Sequence, residues 1–371
     1  MNENTLVSII LLSYNSKEDL EACLPSLMSQ TYTHHEIIVV DNASTDNTSG
    51  FIRDNYPNIT LIETGSNLGY PGGNNIGYQH ARGEYIIILN PDTVTDPNWL
   101  AELIKPLSEN SGIALTTSKI LIYGQQDTIN TCANIIHYTG LDFCRGLNES
   151  SSHFSKPEEV GAISGCSFAV KREVFEDLGG FDADFFLYLE DADLSWRARL
   201  AGYRIMFVPD SIVYHKFHIS VTPWKEFYLE RNRYLMLLKN GSLTMLVLTF
   251  PAFIVTEIVT WGHAVLHGYS FIYNKLRAYW WILTNIAKIN KKRGVVLENR
   301  RIGDRELLRL FDWKIPFEQV IENGILCKLS NVLFNSFFRF YFKLLGGLLG
   351  LSSMYDINRF KTVDTIDQEN L

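Results

Sequence analysis

Four short apolar runs, residues 6–12, 36–40, 59–62 and 85–89, recur through the N-terminal part of the chain with polar or amphipathic stretches between them. Runs this short suit strands better than helices, and runs apolar on both faces suit the interior of a covered sheet. The stretches between them are long enough for crossover helices. The pattern, sustained to about residue 121, predicts an α/β fold with a mostly parallel sheet and helices on both faces. Ser16 and Ser44 are read as N-caps of two of those helices. Residues 119–160 are polar and weakly periodic, and are expected to form variable loops with short strands.

Order returns at residues 162–170, followed by a short helix, the turn Gly179-Gly180-Phe181-Asp182, and a helix from about Glu190 to Ala201 closed by Gly202. Two short strands, 204–208 and 211–214, are expected on either side of Pro209-Asp210. Beyond Thr222 the pattern is helical, which divides the chain into an α/β region, 1–220, and a helical C-terminal region, 221–371. Charge divides at the same place. Residues 1–220 carry 13 Lys and Arg against 28 Asp and Glu, or −15, whereas residues 221–371 carry 20 against 13, or +7, which together give the chain its −8.

The acidic part argues against nucleic acid, and the basic part adds aromatics and long apolar runs, a combination suited to an anionic membrane surface. Pro251 and Glu257 interrupt the apolar stretch 243–266, so a clean span of ~20 residues is not expected. A second stretch, 332–351, mixes Phe337, Phe338, Phe340, Tyr341 and Phe342 with Arg339 and Lys343. These helices are expected to meet the membrane surface peripherally, to form a homo-oligomer, or to pack on each other as an ordinary helical core, and the tail from 361 to 371 to be disordered. Five scattered cysteines without a C-x-x-C pair argue against a disulfide framework or a cysteine zinc site and favour a reducing compartment. The N-terminus lacks the basic region of a signal peptide, so a cytoplasmic location is expected, and the Asn-x-Ser/Thr triplets at Asn42, Asn47, Asn58, Asn148 and Asn240 are taken as chance matches.

Chemistry concentrates at strand ends. Ser13-Tyr14-Asn15-Ser16 follows the first run without the glycines that a dinucleotide fold or P-loop requires. Asp41 follows the second run and could accept hydrogen bonds from a base or ribose, or simply cap the next helix. The glycine-rich segment from Asn67 to Gly77 precedes a helix and could let a ligand approach the backbone. Asn90-Pro91-Asp92 ends the fourth run, and Glu190-Asp191-Ala192-Asp193 opens a later helix. Carboxylates past the ends of buried strands lie where open α/β sheets bind ligands.

Taken in order, Leu12-Ser13-Tyr14-Asn15, Val40-Asp41-Asn42-Ala43-Ser44-Thr45-Asp46, Asn67-Leu68-Gly69, Gly73-Asn74-Asn75-Ile76-Gly77, Leu89-Asn90-Pro91-Asp92, Ser164-Gly165-Cys166, Gly179-Gly180-Phe181-Asp182, Glu190-Asp191-Ala192-Asp193-Leu194 and Gly202-Tyr203-Arg204 resemble inverting glycosyltransferase family 2, in its rhamnosyltransferase-like branch. The resemblance extends over roughly residues 5–240. It implies a GT-A fold, a nucleotide-sugar donor, a glycan or glycolipid acceptor and a divalent metal, Mn2+ or Mg2+.

By the same resemblance Tyr14 and Asp41 would hold the nucleobase, with Asn15, Asn67, Gly73 and Asn74 also on the donor side. Asp92 would be the last carboxylate of the D-x-D metal motif, in which Asn90 here replaces the first Asp, and His215 would complete the metal site. Asp191 would be the base and Glu190 an acceptor-side neighbour. Inverting transfer needs such a base, because an acceptor hydroxyl must lose its proton as it attacks the anomeric carbon.

Overall fold

The computed structural model describes residues 5–217 and 222–350; the tail from 361 to 371 lies outside them. The α/β region runs β1 (Val7–Ser13), α1 (Lys17–Met28), β2 (His35–Asp41), α2 (Thr48–Asn55), β3 (Thr60–Glu63), α3 (Gly69–His80), β4 (Tyr85–Leu89), β5 (Thr93–Thr95), α4 (Trp99–Glu109), β6 (Ile113–Ile122) and β7 (Gln125–Thr131). It continues with β8 (Asn134–Ile136), β9 (Asp142–Cys144), β10 (Glu158–Glu159), β11 (Ser167–Lys171), α5 (Arg172–Asp177), α6 (Glu190–Leu200) and β12 (Arg204–His215). Helices follow: α7 (Pro223–Asn240), α8 (Leu243–His267), α9 (Tyr269–Glu298), α10 (Asp304–Leu308), α11 (Gly324–Ser330) and α12 (Ser336–Leu348).

The main sheet is 10-stranded, ordered β10-β12-β6-β11-β4-β1-β2-β3, with β5 on β12 and β7 on β6. β1 pairs in parallel with β2 and β4, and β6 with β12, while β11 runs antiparallel between β4 and β6. Alternation along β1 explains the two covered faces. Ile9 and Leu11 join Leu20 and Leu24 of α1 and Trp99 and Leu103 of α4, whereas Ile10 faces the side of α5 and α6 with Phe175, Leu194 and Ala198. Helix α3 lies very close on that second face: a Cβ at Gly77 would stand 2.6 Å from Ile10, and one at Gly73 2.2 Å from Leu12.

Four local expectations are corrected. The glycine-rich segment does not precede a helix but forms α3 itself from Gly69, because its small residues permit that close packing on β1. Asn47, not Ser44, stands at the N-cap of α2, and Asp46 accepts from Thr48 N (3.1 Å) and from Lys17 N at the start of α1 (2.9 Å). Pro209-Asp210 does not split a strand. β12 runs on through it, absorbing the break as a register shift between Val208 and Ile212.

The fourth correction concerns residues 243–266. They belong to one unbroken helix, α8, which is long and apolar enough to cross a membrane by length and composition. Pro251 stands within it on the exposed side, and Glu257 accepts from Arg233, from Tyr234 Oη (2.5 Å) and from Tyr279 Oη (2.6 Å). The inner side of α8, with Met245 and Ala252, joins a core containing Phe185, Leu189 and Trp196 of the α/β region, Leu235 of α7, Ile289 of α9, and Phe338 and Phe342 of α12. One core therefore spans the compositional boundary near residue 220. On the outside, Val247, Phe250, Ile254, Ile258, Val265 and Leu266 of α8 remain exposed, as do Tyr269, Tyr273, Leu276, Trp280 and Leu283 of α9.

Candidate active site

The C-terminal ends of β1 and β2 form the first wall. Tyr14 is 51% exposed, a ring available to stack on a planar group, and Asn15 adopts φ +54°. The Asn15 side chain accepts from Thr45 N (2.7 Å) while its own N–H donates to Ser44 Oγ (2.9 Å), which ties the β1 end to the β2 end. Asp41 is buried and accepts from Ser44 N (2.8 Å) and from Ser49 Oγ. Both its oxygens thus already brace the loop into α2. Asn42 then bridges to the third segment: its amide donates to Asn67 Oδ1 (3.0 Å), and its oxygen accepts from Leu68 N (2.9 Å). Asn74 is fully buried; its amide donates to Tyr70 O (3.0 Å), and its oxygen is without a partner among the described residues.

Past β4, Asp92 Oδ2 lies 3.2 Å from His215 Nε2 at the end of β12, while Asp92 Oδ1 is buried without a partner among the described residues. Asn130 Oδ1 lies 2.8 Å from His215 Nδ1. An imidazole that donates from Nδ1 presents its Nε2 lone pair on the Asp92 side, the usual arrangement behind a metal-ligating histidine. Burial opposes the imidazolium form of His215, but Cys166 and Asp92 outweigh it and lift the histidine to about 10. Among the described residues no three His, Cys, Asp or Glu side chains converge on one point. One carboxylate and one imidazole make a donor set that would fit a divalent cation such as Mg2+ or Mn2+.

Asp191 opens α6 and is 8% exposed. Its Oδ2 accepts from Gly165 N (2.7 Å) and Asn134 Nδ2 (3.2 Å), and its Oδ1 from Ala192 N (2.8 Å). Burial nevertheless outweighs these bonds and raises its pKa, which suits a carboxylate that must take a proton. Glu190 is raised well above the ordinary range by burial and by the Asp191 charge, and one of its oxygens has no partner among the described residues. The two sites meet at Gly165-Cys166: Gly165 N–H holds Asp191, while Cys166 O accepts from Asn90 N (2.9 Å). Tyr70 braces the junction through its hydroxyl, 2.5 Å from Gly165 O.

Several residues here carried no signal in the reading of motifs. Asn134, on β8, donates to both Asp191 and Asp142 Oδ2 (2.8 Å), so one amide bridges two carboxylates. Asp142, on β9, is pushed well up by burial and by the Asp191 charge. Both belong to the polar segment expected to form loops with short strands, and those strands are here β8 and β9, with Ile135-Ile136 and Phe143-Cys144 around Gly140, which adopts φ +85°. The approach to Asp191 is strained as well. Phe186, Tyr188 and Leu189 all have positive φ (60°, 68° and 63°), conformations that cost about 1–3 kcal/mol each outside glycine.

A mostly parallel core sheet interrupted by the antiparallel β11, an acidic site past its central strand and a buried carboxylate opening a later helix define a GT-A type domain. Residues 8–179 match the family model for glycosyl transferase family 2, which identifies a domain of that family in the α/β region. Over 236 residues it is 27% identical to the N-acetylglucosaminyl-diphospho-decaprenol L-rhamnosyltransferase of Mycobacterium tuberculosis, covering 57% of this chain and 77% of the relative. Over 208 residues it is 26% identical to the poly-beta-1,6-N-acetyl-D-glucosamine synthase of Staphylococcus epidermidis, covering 56% of this chain but only 48% of the synthase, so that it spans about half the synthase's length. Among solved structures, GalNAc-T7 with UDP, GalNAc and Mn2+ superposes with a TM-score of 0.54 at 20% identity, over 64% of this chain and 48% of that one. At that identity the likeness concerns the fold alone.

Proposed function

We propose that this chain is an inverting glycosyltransferase that moves a sugar from a nucleoside diphosphate to a hydroxyl of a lipid-linked or cell-surface glycan. The observation that carries the reading is Asp191, a buried carboxylate of raised pKa whose anchor, Gly165, adjoins the residue that holds Asn90. The acceptor oxygen forms its bond to the anomeric carbon as the bond to the diphosphate breaks on the opposite face, and the acceptor proton passes to Asp191. Tyr14, Asn15, Asp41, Asn67, Gly73 and Asn74 hold the donor's nucleoside side, and Glu190 and Asp142 line the acceptor side. Asp92 and His215 would hold a divalent metal, which when bound neutralises charge developing on the leaving diphosphate.

Rhamnose from dTDP-rhamnose is the leading donor, supported by the rhamnosyltransferase relative. The synthase relative favours a second reading, an N-acetylglucosamine donor. The exposed apolar faces of α8 and α9, together with the +7 balance of residues 221–371, support peripheral attachment at the cytoplasmic face of the membrane. A thermal-shift screen of dTDP- and UDP-sugars with and without Mn2+, followed by product analysis, tests the donor. A donor at 100 times its Kd adds about 2.7 kcal/mol of stability. No shift and no product with any nucleotide sugar would remove the reading.

A further inference from the structure

We propose that Asn232, oriented by Arg231, is a positioning residue for the transferase site, setting the base Asp191 in place through the strained segment Phe185–Leu189. This rests on the glycosyltransferase reading above. Asn232 lies on α7, in the region whose composition suggests membrane contact, and its side chain is fully buried. Its amide nitrogen faces three backbone carbonyls: Phe185 O at 3.0 Å, Leu187 O at 2.7 Å and Tyr188 O at 2.7 Å. An amide has two N–H groups, so one of these bonds is shared. Its oxygen accepts from Arg231 Nε (2.8 Å), which fixes which end of the amide faces the segment. The Arg231 guanidinium in turn donates to Asp184 O (2.7 Å) and Phe185 O, and lies against the rings of Tyr228 and Trp281.

Those carbonyls belong to the segment with three left-handed non-glycine residues, which leads directly into Glu190-Asp191. Leu189 O accepts from Asp193 N (2.8 Å), starting the first turn of α6. On its other side Phe186 O accepts from Tyr70 N (2.7 Å), and a Cβ at Gly69 would lie 2.2 Å from that oxygen. The segment is thus held between the donor-side helix α3 and the C-terminal helix α7. Ion pairs fasten its beginning: Lys239 and Lys292 to Asp182, and Lys288 and Lys292 to Asp184. Among the described residues the Asn232 side chain hydrogen-bonds to Arg231 and to backbone carbonyls but to neither Glu190 nor Asp191, so its effect reaches the chemistry through where Asp191 stands.

The test combines kinetics with hydrogen exchange in the full chain. Asn232→Ala is expected to lower kcat on the order of 10²-fold, the cost of about 1 Å of misplacement, while donor KM changes less than about 3-fold. Asn232→Asp keeps the shape but sets a carboxyl oxygen against those carbonyls in place of the NH2 donors, so it is expected to lose at least as much kcat. Arg231→Lys should fall between. In both Asn232 variants, amide exchange is expected to rise in the peptide covering 183–193 and to stay unchanged in peptides from β1 and β4. Wild-type kcat in Asn232→Asp, or exchange rising equally across the sheet, would overturn the proposal. A wild-type chain inactive toward every nucleotide sugar would instead refute the transferase reading and leave the exchange experiment to decide this one.

Discussion

Replacing Asp191 by Asn separates what this carboxylate does for chemistry from what it does for the fold. Loss of a general base costs typically 10²–10⁴-fold, so turnover should drop by about 10³-fold with donor binding nearly unchanged. Stability is a contest between two terms. The amide keeps one oxygen for Ala192 N but turns its NH2 toward Gly165 N–H and Asn134, and a buried N–H left unpaired costs about 1–3 kcal/mol. Against this, removing a buried charge relieves a desolvation penalty of several kcal/mol. The raised pKa of Asp191 says that burial outweighs its hydrogen bonds, so the variant should melt at or above the wild-type temperature at pH 8.

The pH dependence follows with its sign. A carboxyl raised in the folded state keeps its proton where the unfolded chain has lost it, so stability falls as pH rises from the ordinary carboxylate value through the folded one. Asp142 and Glu190 are raised partly by the charge on Asp191, so Asp191→Asn should flatten the slope beyond the share of Asp191 alone. Calorimetric melting of both proteins at pH 5 and pH 8, with turnover at each, checks all three expectations. A variant that keeps near wild-type turnover, or that melts several degrees lower at pH 8, would refute the reasoning.

Asp92→Ala and His215→Ala should each weaken Mn2+-dependent donor binding in calorimetric titrations, with chelation mimicking both; indifference of binding and turnover to chelator would remove the metal assignment. Asn134→Ala takes away the amide shared by Asp142 and Asp191, so the acidic limb of the turnover profile should move to higher pH, and an unmoved limb would count against that bridge. Gly69→Ala meets both a left-handed backbone (φ +72°) and the Phe186 carbonyl, so it should destabilise by more than 1 kcal/mol in denaturant melts, and a neutral result would mean the segment yields easily. Replacing Tyr269, Tyr273 and Trp280 by Ser should reduce flotation with anionic liposomes, and raising salt should reduce it further. Truncation at residue 240 is a poor substitute because it opens the core shared with Trp196; retained flotation of the triple variant would point to self-association of these faces instead.

Strands β1 to β4 were legible because each is a short apolar run bounded by turn residues, and β4 coincides with residues 85–89, whereas β7 is too polar to show as a run. Helix α6 was legible from its acidic first turn and from Gly202 beyond its end. What was hidden depended on partners distant in sequence. Positive φ is ordinarily announced by Gly or Asn, and Phe186, Tyr188 and Leu189 give no such notice because Asn232 and Tyr70 supply the restraint from elsewhere. Glu257 looked like an interruption because its neutralising partners, Arg233 and Lys275, are on α7 and α9. Asn134 and Asp142 gained their place only when the hairpin folded beside α6.

The antiparallel strand β11 fixes an order of assembly during synthesis. It alone joins β4 to β6, yet it begins at residue 167, long after both have left the ribosome. Until then the nascent chain carries two separate blocks, β1 to β4 and β6 with its hairpin partner β7, each with an open edge able to pair with the wrong strand. β12 arrives later still to close the other side of β6. Slow translation just before residue 167 would prolong that exposure, and the waiting nascent chain would be a substrate for chaperones that shield unpaired strand edges.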